Sequence, residues 1–330
     1  MYLDVPWPVL AIVALALSFA YLNGTLDGGS LLAAAISSRS VSPLPALALA
    51  SVAAFVGPFI FGTAVAGTIA TEIVKPDVVG PSLVIAALVG AVAWNTTASL
   101  VGIPTSSTHA LIGGLIGAGL TGYGPDVIVN TGLSLIIVAL VAGPVLGLFL
   151  GYLGLEAVVF LVKGASPAIN KQFRRALVVI LVILALSHGT NDGQKTMGVI
   201  VLGLLTFGLL AGPQVPLWVV GASAGALALG VATGGLRVVR TLGRGLYRVR
   251  PLHGFSSQTV AAAIILSATL LGAPVSTGQV VSSSILGVGA AYRISAVRWA
   301  VARNIFIAWL VTMPVSGLVA GVTFLVLPTL

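Results

Sequence analysis

Residues 188–193 read His-Gly-Thr-Asn-Asp-Gly, and residues 23–28 read Asn-Gly-Thr-Leu-Asp-Gly. Aligning them sets Asp192 against Asp27 at an offset of 165 residues. A second pair nearly keeps that offset: Gly-Ile-Pro-Thr-Ser-Ser-Thr at 102–108 and Gly-Ala-Pro-Val-Ser-Thr-Gly at 272–278. Here Pro104 meets Pro274, Ser106 meets Ser276 and Ser107 meets Thr277, 170 residues apart. Two motifs in the same order at nearly constant spacing mark an internal duplication. The chain divides into a first repeat, 1–162, and a second, 163–330.

The sequence around these motifs is apolar. Of 330 residues, 58% are hydrophobic and 7% are charged, against roughly 25% charged in an ordinary soluble domain. So few charges cannot cover a soluble surface. The chain reads as an all-α polytopic membrane protein, since strand alternation at period two is absent. Apolar segments of about 20 residues fall near 6–22, 44–74, 81–101, 107–122, 131–162, 176–187, 195–212, 215–236, 256–271, 275–290 and 299–327. Some are short and some are long for one crossing, which gives about ten to twelve segments. Duplicated polar motifs that interrupt such segments point to a secondary transporter with broken helices and its site at the repeat interface. Two inverted repeats are the fold expected.

The basic residues cluster. Lys163, Lys171, Arg174 and Arg175 fill one connection, 163–175, and Arg237, Arg240, Arg244, Arg248 and Arg250 fill another, 237–255. Placed between apolar spans, they carry the positive-inside signal of cytoplasmic connections, not a nucleic-acid surface. Val9–Leu22 lacks a basic leader and reads as a first span. The absence of Cys excludes disulfides and thiol chemistry.

A carboxylate at membrane depth is costly and marks function by default. The bland alternative is that Lys195 pairs with an Asp and pins helices together. Two Asp at matching repeat positions favour function, with Asn23, Asp27, Asn191 and Asp192 expected in cation coupling. Asp27 and Asp192 are the residues to hold Na⁺ or take up H⁺. Pro104 and Pro274 stand where a helix begins, which puts Ser106, Ser107, Thr108, Ser276 and Thr277 in two first turns. Free backbone N–H groups, hydroxyls and the positive end of the dipole make such a terminus an anion site. With Thr105 and Gln194, these residues form the expected substrate-binding set. A protonated phosphate oxygen could donate to a carboxylate, which sulfate near neutral pH cannot do.

Residues 187–198, Ser-His-Gly-Thr-Asn-Asp-Gly-Gln-Lys-Thr-Met-Gly, resemble the signature of the PiT inorganic phosphate transporters, as do 102–109, 233–237 and 284–289 with Arg298-Trp299 and Arg303-Asn304. The resemblance spans both halves. It implies uptake of inorganic phosphate coupled to Na⁺ or H⁺, an inverted-repeat helical fold, a homodimer, a multi-pass place in the cell membrane and no prosthetic cofactor. The family roles fall on Asp27, Asn191, Asp192 and Gln194 in the polar breaks, and on the hydroxyls at the helix starts. The chain departs from the family pattern at three positions, and it lacks the large cytoplasmic insertion seen in many relatives. Ser30 stands where Asn is usual, and Gly278-Gln279 replaces Thr-His. Sulfate is the alternative anion.

Two rivals belong to other classes. Gly-x-Ser-x-Gly at 221–225 invites a hydrolase with Ser107, His109 and Asp192 as its triad. That motif needs a strand–turn–helix elbow, yet it lies inside an apolar helix, so an enzyme is not expected. A passive anion channel would use the same helix termini but has no need of paired Asp.

Overall fold

The computed structural model describes residues 6–245 and 250–327, with the backbone alone for 235–245 and Ala296. Arg248 lies outside the described residues, as do the side chains of Arg237, Arg240 and Arg244. Among the described residues there are eleven α-helices: α1 (Trp7–Ser37), α2 (Pro43–Phe61), α3 (Ala64–Thr71), α4 (Pro81–Val101), α5 (Ser107–Tyr123), α6 (Asn130–Leu161), α7 (Ile169–Thr206), α8 (Leu217–Gly245), α9 (Pro251–Leu270), α10 (Thr277–Arg293) and α11 (Trp299–Val326). Both expected basic connections are shorter than the sequence suggests. Helix α7 starts at Ile169, α8 runs to Gly245 and α9 opens at Pro251.

Seven helices are long and apolar enough to cross a membrane among the described residues: α1, α2, α4, α6, α7, α8 and α11. That is fewer than the ten to twelve segments expected. Helices α5 and α10 have 17 residues each, about 25 Å at 1.5 Å per residue. Helix α3 has eight, and α9 opens on the polar run His253-Gly-Phe-Ser-Ser-Gln258. Large apolar side chains of α6 such as Leu135, Val138, Val141 and Phe149 are exposed, as a lipid-facing surface requires.

The breaks are not where the polar motifs stand. Helices α1 and α7 run unbroken through 23–28 and 188–193, over 31 and 38 residues. The glycines of the motifs serve close packing instead. Gly24 and Gly28 lie against Leu227 and Val231 of α8, and Gly189 and Gly193 lie against Ala54 and Pro58 of α2. A methyl on Gly24 or Gly189 would strike the facing backbone carbonyl. The break falls inside the expected 44–74 segment, where Gly62 at φ +78° separates α2 from α3. Unpaired backbone groups at such a break need partners when buried. Gln194 of α7 supplies them: its Oε1 accepts from the N–H of Val65 (2.7 Å) and Ala66 (3.2 Å), and its Nε2 donates to the Gly62 carbonyl (2.7 Å).

The four most extensive helix contacts each join the two halves. Helix α1 packs on α8 and α7 packs on α2, while α5 packs on α11 and α10 packs on α6. The contact pairs advance in the same sense along both helices of each pair. Gly113 meets Met313 and Gly117 meets Gly317; Gly147 meets Val280 and Gly151 meets Ser284. All four pairs are therefore parallel, with small residues letting the backbones approach.

Candidate functional site

Two helical hairpins, α4–α5 and α9–α10, bring their tips together in the interior. The helices start after the prolines, at Ser107 and Thr277, with Ser106 and Ser276 as the N-cap residues. Pro104 and Pro274 thus lie in the non-helical connections and not at the first helical position. Ser106 Oγ donates to Ser276 Oγ at 2.9 Å, so the sequence-matched pair also meets in space. The two caps differ. Ser106 Oγ accepts from His109 N–H (3.2 Å) and lies 2.7 Å from His109 Nδ1, while Ser276 makes no capping bond and leaves the first-turn N–H groups of α10 unclaimed by a capping side chain. His109 bonds to Ser106 and not to Ser107, and Ser223 is buried within α8. No hydrolase triad forms.

Helices α1 and α7 set their Asp residues against these tips. On α1, Ser107 Oγ donates to Asn23 Oδ1 (2.8 Å) and, at 3.4 Å, to Asp27 Oδ2. On α7, Thr277 Oγ1 donates to Asp192 Oδ2. His188, the repeat counterpart of Asn23, places Nδ1 2.6 Å from the same Asp192 oxygen, and its Nε2 has no partner. Equivalent hydroxyls therefore meet equivalent carboxylates in both halves.

The second half adds a cation. Lys195 Nζ is fully buried and donates to Asp192 Oδ1, to Thr108 Oγ1 (2.6 Å) and to the Val275 carbonyl (2.6 Å). All three ammonium donors are used, which satisfies the demand that a buried charge be paired and fully hydrogen-bonded. Lys195 sits on the same helix as Asp192, so their pair alone pins nothing. Its bonds to Thr108 and Val275 join α7 to both hairpins.

Asp27 has no such neighbour. Among the described residues no lysine or arginine forms an ion pair with it. Its Oδ1 faces Gly278, where an added Cβ would lie 2.6 Å away. Asp27, Ser30, Thr105 and Gly278 border a cavity of about 440 Å³ that continues past Tyr21 and Trp309.

The remaining expected residues lie further out. Gln194 caps α3 and does not reach the serines. Asn191 Nδ2 donates to Thr269 Oγ1 (2.9 Å) and the Ala273 carbonyl (3.2 Å), holding α9 and its hairpin turn, and its Oδ1 has no partner. Thr105 Oγ1 bonds to Trp94 Nε1 and Thr312 Oγ1, both at 2.7 Å. The sequence marks Lys195 as one of the polar groups around the Asp residues, or as their packing partner, and assigns it no place at the ion site. The repeat offsets carry the signal for one, since they match Lys195 with Ser30 and Thr108 with Gly278.

A model of the phosphate transporter family matches residues 23–170 and 162–320. A probable low-affinity inorganic phosphate transporter of Bacillus subtilis is 38% identical over 96% of this chain and 96% of its own length. A protein of the same description from Rhizobium meliloti is 41% identical over 96% and 95%. The chain also superposes on a solved structure described as the sodium-dependent phosphate transporter, with a TM-score of 0.88, 22% identity and coverage of 97% and 98%. That likeness establishes the shared fold.

Proposed function

Since the chain belongs to the phosphate transporter family, we propose that this multi-pass membrane protein is a secondary active transporter that imports inorganic phosphate together with a cation. The observation that carries the reading is the meeting of the two hairpin tips at Ser106 and Ser276, flanked by one carboxylate from each repeat. Phosphate binds between the tips, on the hydroxyls of Ser106, Ser107, Thr108, Ser276 and Thr277 and on the first-turn N–H groups of α5 and α10. Thr105 and Gln194 act behind this contact, by holding the α5 connection and the α2–α3 break. Asn23 and Asn191 each keep one buried polar atom without a partner, Nδ2 and Oδ1, and such atoms are costly unless a ligand takes them up.

Asp27 is the coupling carboxylate. It borders the cavity without a basic partner, so Na⁺ or H⁺ neutralises it, and phosphate then binds beside a carboxylate that no longer repels it. The name of the structural neighbour favours Na⁺. Inverted repeats are part of the proposal. Leaving α7 at Thr206 and entering α8 at Leu217, the chain brings Leu227 back beside Gly193, so α8 runs against α7. Since α8 runs along α1, the two Asp helices point in opposite senses. Alternating access then follows from rocking of one repeat against the other. The homodimer implied by the sequence resemblance is read by light scattering of the purified protein.

Uptake of radiolabelled phosphate and sulfate into proteoliposomes, under an imposed Na⁺ or H⁺ gradient, tests the reading. Phosphate accumulating against its gradient under one of the two cations is expected. Sulfate accumulating instead, or phosphate equilibrating without any cation gradient as through a passive channel, would overturn it.

A further inference from the structure

We infer that the ammonium of Lys195 is a built-in cation, occupying in the second repeat the position that a mobile coupling cation takes in the first. The inference rests on the coupling reading above and deepens it. Its ground is the set of atoms around Nζ: one carboxylate oxygen of Asp192, one hydroxyl of Thr108 and one main-chain carbonyl, Val275. All three are oxygens, the donors that suit a hard cation, and one is a main-chain carbonyl from a non-helical turn, of the kind that coordinates Na⁺ in transporters with broken helices.

Asp192 maps to Asp27, Lys195 to Ser30, Val275 to Thr105 and Thr108 to Gly278. All four counterparts border the same cavity. There the side chain that would bring a cation is a serine, whose hydroxyl turns back to the Asp27 carbonyl (2.7 Å). The hydroxyl that would close the site is replaced by a glycine. One frame is thus plugged by its own chain, and the other is open to the cavity. A tethered charge cannot leave with the substrate, so at most one mobile cation binds per chain at these carboxylates. The positive charge of Lys195 stays beside the anion site throughout the cycle.

The test uses purified full-length protein and equilibrium binding of radiolabelled Na⁺, with thermal melting in Na⁺ against N-methylglucamine at constant ionic strength. Lys195→Ser, which installs the first-repeat residue, is expected to bind one more Na⁺ per chain than the wild type. Its melting temperature should rise in Na⁺ by about 2–4 °C beyond any wild-type response. Adding Thr108→Ala to that variant should weaken the new site. Unchanged Na⁺ stoichiometry in a folded Lys195→Ser would overturn the inference. Should that variant not fold, the wild type decides: two saturable Na⁺ sites per chain with Lys195 in place overturn it, and one or none supports it. Binding is measured without transport, so a protein that meets these expectations but accumulates no phosphate would sink the transport reading and leave this one standing.

Discussion

Asp27 and Asp192 hold matching places in a duplicated motif, on helices that pack the same way, and each faces a hydroxyl at a hairpin tip. Their surroundings differ. Asp192 is enclosed by Lys195, Thr277 and His188, whereas Asp27 receives one long bond from Ser107 and looks past Gly278 into the cavity. Three differences between the repeats make the contrast: Lys195 for Ser30, Thr108 for Gly278 and His188 for Asn23. The two motifs supply two similar frames, and a few side chains leave one of them filled by its own chain and the other facing the cavity.

The largest test of that contrast is to remove each charge in turn. Asp192→Asn leaves the buried Lys195 ammonium without its counter-ion, which costs roughly 3–5 kcal/mol. A clear drop in melting temperature and yield should follow. Asp27→Asn should melt close to the wild type yet lose uptake, by roughly ten- to hundredfold if the carboxylate's bond to the coupling cation is worth about 1.5–3 kcal/mol. The reverse ranking, a fragile Asp27 variant beside a stable but inactive Asp192 variant, would break the comparison.

A smaller effect is expected from Gly278→Ala. The new Cβ would stand 2.6 Å from Asp27 Oδ1, and displacing that carboxylate costs about 1–3 kcal/mol as overpacking does. The cation concentration giving half-maximal uptake should rise roughly tenfold, with the phosphate dependence at saturating cation shifting less. Equal shifts in both would mean that Gly278 serves the anion instead. The smallest effects distinguish the two tips. Ser276→Ala should weaken phosphate binding about fivefold, from one neutral hydrogen bond of about 1 kcal/mol, and should lower the melting temperature only by the loss of the Ser106–Ser276 bond. Ser106→Ala should weaken binding by a similar factor and also lower the melting temperature, because Ser106 caps α5 at a further cost of about 1 kcal/mol. Identical melting curves for the two variants would remove that distinction.

Several expectations from the sequence meet the structure directly. The pairing of Ser106 with Ser276, read from a constant offset, is a hydrogen bond between hairpin tips. The polar motifs were expected to break their helices, since Gly, Asn and Asp interrupt apolar runs. Helices α1 and α7 continue because the glycines fit against α8 and α2, and because the polar side chains find partners sideways on the hairpin tips. The break at Gly62 went unseen, for its repair comes from Gln194, 132 residues along the chain. Gln194 itself looked like a ligand residue because it adjoins Asp192 in sequence. Two residues, a little over half a helical turn, carry its amide toward α3 instead.

Composition and self-similarity are properties of the chain as a string. They determined that this protein lies in a membrane, that its two halves carry matching motifs, and which carboxylates and hydroxyls are the chemically costly ones. Which residues touch was decided by tertiary structure, because the contacts that join the hairpin tips to one another and to α1 and α7 link segments about 80 to 170 residues apart. The same holds for the inequality of the two Asp. Both Lys195 and Ser30 are visible in the sequence three residues beyond an Asp. Only the approach of Thr108 and Val275 gives the lysine's charge its three oxygens and leaves Asp27 facing the cavity.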